Sequence, residues 1–177
     1  MKTREEMLSL LPNNLIGAEL GVFEGEFSKI ILNKIKPSIL FLVDIFKGEM
    51  CSGDKNGDNM KTILLEDSYN KLLEDYKNIN NVKVIKDTTI NFLNSLNDNY
   101  LDFVYIDADH TYEGVYADLM LSRLKVKNNG YILGHDYTPR FQGCVDAVNS
   151  FVKQFNLNLL LTTEDSCSSY MILNVKN

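Results

Sequence analysis

The 177-residue chain has only two histidines, and each stands among aspartates where an apolar run stops. In "FVYIDADHTYEG" (103–114) the run gives way to Asp107, Asp109 and His110; in "GYILGHDY" (130–137) it gives way to His135 and Asp136. Carboxylates and imidazoles are costly to desolvate unless paired, hydrogen-bonded or bound to something. A strand built for burial that ends in such groups therefore points to a cleft. A neutral imidazole near pH 7 can take the proton of a hydroxyl, which makes His110 the candidate general base, with Asp107 projecting into the same cleft. Asp107, His135 and Asp136 could together hold a divalent cation, their oxygen atoms favouring magnesium or calcium. The competing reading is helix capping by Asp109 or Thr111. Tyr112 and Gly114 occupy the places where a capping box needs Glu or Gln, so no box supports it.

A second stretch, "GAELGVFEGEFS" (17–28), has the spacing E-x-G-x-x-x-G through Glu19, Gly21 and Gly25. Glycines permit tight turns and close approach of backbone amides to a ligand. The spacing differs from the dinucleotide pattern G-x-G-x-x-G, whose amides receive a pyrophosphate. A carboxylate here would repel pyrophosphate and could pair with a cationic ligand. Asp44 ends the next apolar run, where an acidic side chain can take both hydroxyls of a ribose. Asp87, with Thr88, ends the third and could accept a hydrogen bond from an exocyclic amine. A glycine turn, a ribose-binding acid and a further polar group at successive strand ends outline a nucleoside site without a required phosphate. S-adenosylmethionine meets that description.

These residues need strands to carry them. The runs 15–20, 39–45, 82–87, 101–107 and 130–136 are short, rich in β-branched or aromatic residues and bounded by turn residues. Between them lie helical patterns: Phe27, Ile30, Ile31 and Ile35; Leu65, Tyr69, Leu72, Leu73 and Tyr76; Tyr112, Tyr116, Leu119 and Leu124. Residues 89–97 and 142–155 are expected to add two more helices, and residues 3–11, ended by Pro12, a short first one. Alternating strands and helices imply an α/β, Rossmann-like, doubly wound parallel sheet. Runs 157–163 and 169–175 are separated only by "EDSCS" in 164–168, too short for a crossover helix, so they predict a hairpin and an antiparallel C-terminal strand.

Together "AELGVFEGEFS", "VDIF", "YIDADHTYEGVYADL" and "GYILGHDY" resemble the class I S-adenosylmethionine-dependent methyltransferases over roughly residues 13–175. More narrowly they resemble the small branch of macrocin O-methyltransferase-like and cephalosporin-biosynthesis-type enzymes. The resemblance implies a seven-stranded, mostly parallel sheet with an antiparallel last strand. It implies that Glu19, Gly21 and Gly25 flank the methionine moiety, that Asp44 binds the ribose and that Asp87 lies near the adenine. It also implies a metal ligand at Asp107 and an acidic pair at 135 and 136. The chain departs from that pair, since its first member is His135. The activity implied is methyl transfer to a hydroxyl of a small molecule such as a sugar or secondary metabolite. This is a direct displacement in which alignment of the nucleophile carries much of the catalysis, and a bound cation would lower the pKa of the acceptor oxygen.

Composition narrows the partners. A net charge of −6 opposes binding to nucleic acid, and "DADH" is unlike the N-P-P-Y motif of amino-methylating enzymes. With 45% hydrophobic residues the chain suits one domain, 1–177, with an N-terminal helix in 1–12 and a cofactor-binding core in 13–175. No signal-peptide pattern opens the sequence and no run reaches the roughly 20 apolar residues that span a bilayer, which leads to the expectation of a cytoplasmic protein without membrane contact. Cys51, Cys144 and Cys167 show no metal or disulfide spacing. The polar stretch 47–60 fails the calcium-loop pattern and is expected to act as a lid over the site. Acceptor recognition is expected to rest on residues 1–12, 47–60 and 137–143, or on a second copy of the chain in a homo-oligomer. Two other functions compete. A nicotinamide-dependent oxidoreductase is disfavoured by the glycine spacing and the lack of a Y-x-x-x-K pair, and a non-catalytic nucleoside-binding module would bind without turnover.

Overall fold

A computed structural model describes residues 3–52, 61–164 and 166–176. Seven strands form one sheet: β1 (Ile16–Leu20), β2 (Ile39–Asp44), β5 (Val82–Lys86), β6 (Leu101–Ile106), β7 (Val126–Gly134), β8 (Leu159–Thr162) and β9 (Tyr170–Asn174). Their spatial order is β5-β2-β1-β6-β7-β9-β8. The first five are mutually parallel, whereas β9 runs antiparallel to both β7 and β8. The fold is thus the expected α/β, Rossmann-like, mostly parallel seven-stranded sheet, with the reversed C-terminal strand that the short 164–168 connection requires.

Period-2 alternation sends each strand's side chains to two cores. From β6, Phe103 and Tyr105 join Leu40, Leu42 and Leu133 beneath α1 (Arg4–Leu8), α2 (Glu26–Ile35) and α3 (Leu65–Tyr76). Val104 and Ile106 join Ala18, Leu20 and Ile132 beneath α4 (Thr89–Ser95), α5 (Tyr112–Lys125) and α6 (Gln142–Gln154). Sheet residues of both sets are fully buried, as parallel strands covered on two faces must be.

Three local expectations need correction. The first helix is shorter than 3–11, running only from Arg4 to Leu8, with Thr3 as its cap. The buried face of α5 comprises Val115, Asp118, Leu119 and Ser122, while Tyr112 and Leu124 are exposed. The polar Asp118 and Ser122 hide that face from a hydrophobic reading. The stretch read as a lid has strands on its flanks: β3 (Glu49–Ser52) pairs antiparallel with β4 (Lys61–Leu64), Glu49 opposite Leu64 and Ser52 opposite Lys61. Residues 53–60, on which the lid reading chiefly falls, lie outside the described residues.

The sheet's ladder continues one rung past its parallel strands, and this rung builds the site. Asp87 N donates to Asp44 O (3.1 Å), Gly21 N to Val43 O (2.8 Å), Asp107 N to Leu20 O (2.7 Å) and His135 N to Ile106 O (3.0 Å). The tips carrying Asp87, Asp44, Gly21, Asp107 and His135 therefore stand side by side along the carboxyl edge, where open α/β sheets bind ligands.

Candidate active site

A cavity of about 690 Å³ opens along that edge, a volume suited to a cofactor-sized ligand. Glu19, Gly21, Asp44, Thr88, Asp107, His110, His135 and Asp136 all line it. Gly25 and Asp87 are not among the lining residues.

The β1–α2 turn explains its glycines. Gly21 has φ +87°, and a Cβ there would sit 2.0 Å from the carbonyl oxygen of Asp107. The absence of a side chain lets the β1 and β6 tips touch. Gly21→Ala should therefore cost on the order of 3 kcal/mol, through a strained backbone and a backbone clash, and a lowered denaturant midpoint will show it. Gly25 serves differently: its φ of +78° starts α2, and a Cβ would strike Leu72 of α3. It shapes the turn and the helix packing rather than the cavity wall.

Asp44 fastens the same turn. One carboxylate oxygen accepts from Val22 N (2.8 Å) and Phe23 N (3.0 Å), the other from Phe46 N (2.9 Å). Charged acceptors of backbone amides rank among the stronger hydrogen bonds. They hold Phe23 (φ 53°) and Phe46 (φ 45°) in left-handed conformations that bulky residues rarely adopt. Asp87 is spent locally as well, since its Oδ1 accepts from Thr88 N (2.7 Å) and Asn91 Nδ2 (2.9 Å). Of the pair expected near the adenine, Thr88 lines the cavity, as does Thr89, while Asp87 is not among the lining residues. Thr89 in turn donates to the buried Asp118 (2.6 Å).

Glu19 is 1% exposed and accepts a short hydrogen bond from the buried Ser28 hydroxyl. Burial raises its pKa to about 8, with Ser28 and Arg4 opposing and Asp107 and Asp44 reinforcing the shift. Arg4, from α1, stands over the Phe27 ring at 4.1 Å and faces Asp107 at 3.7 Å. Sequence reasoning assigned the first residues to the site without singling out Arg4, since no motif surrounds it; Ser28, one helical turn after Gly25, was likewise missed.

On the same cavity wall, His110 Nε2 donates to Asp136 Oδ2 at 2.9 Å, leaving Nδ1 as the acceptor of a neutral ring. The hydrogen bond to Asp136 is the main cause that raises the His110 pKa, against burial, with the charges of Asp136, Asp107 and Asp109 adding to it. Asp136 holds φ +59°, a conformation aspartate tolerates better than most residues. Burial would raise the Asp136 pKa, but the two histidines outweigh burial and hold it well below the usual carboxylate range. Asp109 turns back to accept from Thr111 N (2.7 Å), and Thr111 caps α5 by accepting from Gly114 N (3.2 Å). Cys144 donates to His110 O (3.6 Å), with its thiol pushed up to about 12 by burial, and so supports the turn as a neutral group.

The residues do not fit a magnesium or calcium site. Among the described residues the compact donor group is Asp107, His110 and Asp136, with ligand atoms within 4.8 Å of one another, and it leaves out His135. His135 Nδ1 instead lies 3.3 Å from Asp136 and 3.5 Å from Asp107. Burial alone would lower the His135 pKa, yet hydrogen bonds and charges from Asp107 and Asp136 carry it up to about 9. Two carboxylates with an imidazole, and a second imidazole set against both carboxylates, offer fewer oxygen ligands than a hard cation takes.

Residues 18–137 match the family described as "Methyltransferase domain". Solved structures share the fold at low identity. The N-methyltransferase NodS from Bradyrhizobium japonicum WM9 aligns with a TM-score of 0.65 at 13% identity, over 98% of this chain and 95% of that one. SMU.1697c from Streptococcus mutans, solved in complex with SAH, aligns at 0.66 and 14%, over 98% and 99%. Spermidine synthase from Thermotoga maritima aligns at 0.61 and 16%, over 96% and 58%. No curated protein matches the chain. Among the described residues no helix is long and apolar enough to cross a membrane.

Proposed function

Because the chain belongs to the methyltransferase-domain family, we propose that its cavity binds S-adenosylmethionine and that it methylates a hydroxyl of a small molecule. When bound, that cofactor supplies an electrophilic methyl group on a sulfonium. The observation that carries the reading is one cavity lined by two chemically distinct groups, Glu19 under the charge of Arg4 and His110 bonded to Asp136. An acid next to a guanidinium complements the ammonium and carboxylate of an amino-acid head group. The exposed apolar side chains Ile45 and Met50, also on the cavity wall, suit a nucleobase. Asp44 holds the turn and keeps an oxygen lone pair for a ribose hydroxyl.

His110 Nδ1 takes the acceptor hydroxyl's proton as its oxygen attacks the methyl carbon in line with the sulfur. Asp136 fixes the ring's tautomer and stabilises the imidazolium that forms. Asp107 anchors Arg4 and His135 on either side. Sugars and secondary metabolites are the acceptor class suggested by the macrocin O-methyltransferase-like motifs. An N-methyl acceptor, as in the name of NodS, is the competing class.

Calorimetric titration tests the cofactor, and labelled methyl transfer to a library of hydroxylated and aminated metabolites, run with a chelator present, tests the reaction. S-adenosylhomocysteine should bind where NADH does not, and Asp44→Ala should weaken that binding roughly tenfold or more by loosening the turn as well as the ribose contact. NADH binding would overturn the reading; methylation confined to amines would overturn its hydroxyl part.

A further inference from the structure

We infer that the methyl acceptor carries an oxyanion, a carboxylate or phosphate, that docks on Arg140; this rests on the proposed function and names the substrate class of the same site. The cavity wall is acidic, and its other charges are already engaged. Asp44 holds backbone amides, Asp136 holds both histidines, Asp107 faces Arg4 and His135, and Glu26 pairs with Lys29. Arg140 is the exception. It lines the cavity, yet among the described residues its guanidinium forms no ion pair; it stands 5.5 Å from the ring of Phe141, and its charge acts on the nearby Cys167 thiol. In a chain of net charge −6, a cation on an acid-rich cavity wall that forms no ion pair among the described residues is an unmet electrostatic demand.

Position assigns that demand to the acceptor rather than the cofactor. Arg140 lies in the 3-10 turn Pro139–Phe141 beyond β7. Phe141 bridges it to the base, its ring 4.6 Å from that of His110. The cofactor's own carboxylate has Arg4, which belongs to α1 and whose charge acts on Glu19. An acceptor anchored through an anion at Arg140 would lay an apolar body on Phe141 and bring a hydroxyl to His110. A planar guanidinium fork suits carboxylate and phosphate alike.

Paired probes test this on protein saturated with S-adenosylhomocysteine. 4-Hydroxybenzoate is compared with 4-hydroxybenzyl alcohol, and glycerol 3-phosphate with glycerol, by equilibrium titration of the wild type, Arg140→Met and Arg140→Lys. At least one anion should bind roughly tenfold to a hundredfold more tightly than its neutral partner. R140M should abolish the preference and R140K restore part of it, with S-adenosylhomocysteine binding as the control for folding. Which pair shows the preference separates a carboxylate from a phosphate acceptor. Equal binding of charged and neutral probes, or a preference that survives in R140M, would overturn this inference alone. Failure of the wild type to bind S-adenosylhomocysteine would overturn the underlying reading with it.

Discussion

Glu19→Gln should lose most of its affinity for S-adenosylmethionine and yet be more stable than the wild type above pH 8. The carboxyl is buried, and burial carries its pKa from 4.5 to about 8. The folded state therefore holds a proton that the unfolded state releases, and stability falls as pH rises from about 4.5 to about 8. Above that window the folded protein bears the full cost of a desolvated carboxylate, on the order of a few kcal/mol. Glutamine keeps an oxygen for the Ser28 hydroxyl and removes the titration, so the melting temperature of the variant should be nearly flat where that of the wild type declines. A cationic ligand favours the ionised form and should expel the proton. Wild-type affinity should then climb up to about tenfold per pH unit and level off near pH 8, and calorimetry at pH 7 in buffers of different ionisation enthalpy should detect the release of about one proton. Affinity independent of pH from 6 to 8, without proton release, would remove Glu19 from the cationic end of the ligand.

His110→Ala should slow turnover by about 10²–10⁴ while cofactor binding is retained. The side chain is exposed on the cavity wall and makes no hydrogen bond to the β1–α2 turn among the described residues, so its removal deprives the acceptor of a base without disturbing that turn. The pH profile separates a base from a structural group. His110 must be neutral to act, and Asp136 raises its pKa above 6.5, so wild-type kcat/KM should rise with pH along a limb above that value. Asp136→Asn removes the carboxylate and should shift the limb toward acid as it lowers the rate. Equal turnover in His110→Ala, or a limb unmoved by Asp136→Asn, rules the dyad out.

The sheet could be read from the chain because buried parallel strands need short, nearly continuous apolar runs bounded by turn residues, and runs such as Ile39–Asp44 and Leu101–Ile106 supply them. Strand ends were equally legible, since a run such as Leu101–Ile106 stops at Asp107. What a strand-end side chain does next was not. Asp87 stands on the same rung as Asp44, but it accepts from the amide of Thr88 and the side chain of Asn91 and is not among the cavity-lining residues. Asp44 reads as a ribose acid, yet it is also the clasp of the turn. Metal chemistry was read from Asp107, His135 and Asp136 as separate donors; bringing them together made His135 a counter-ion to both carboxylates. Arg4 and Arg140 carry no local signature, because their importance comes from the helix and the 3-10 turn that deliver them. The β3–β4 pairing escaped for a similar reason: its two halves are short, partly polar and separated by residues 53–60.

The place of β9 has a consequence for biogenesis. β7 and β8 meet only through it, so a nascent polypeptide still lacking Tyr170–Asn174 exposes the flank of β7, and β8 has nothing to pair with. Such an uncovered border invites association between growing chains on the same message. The sheet can close only once the ribosome has delivered Tyr170–Asn174.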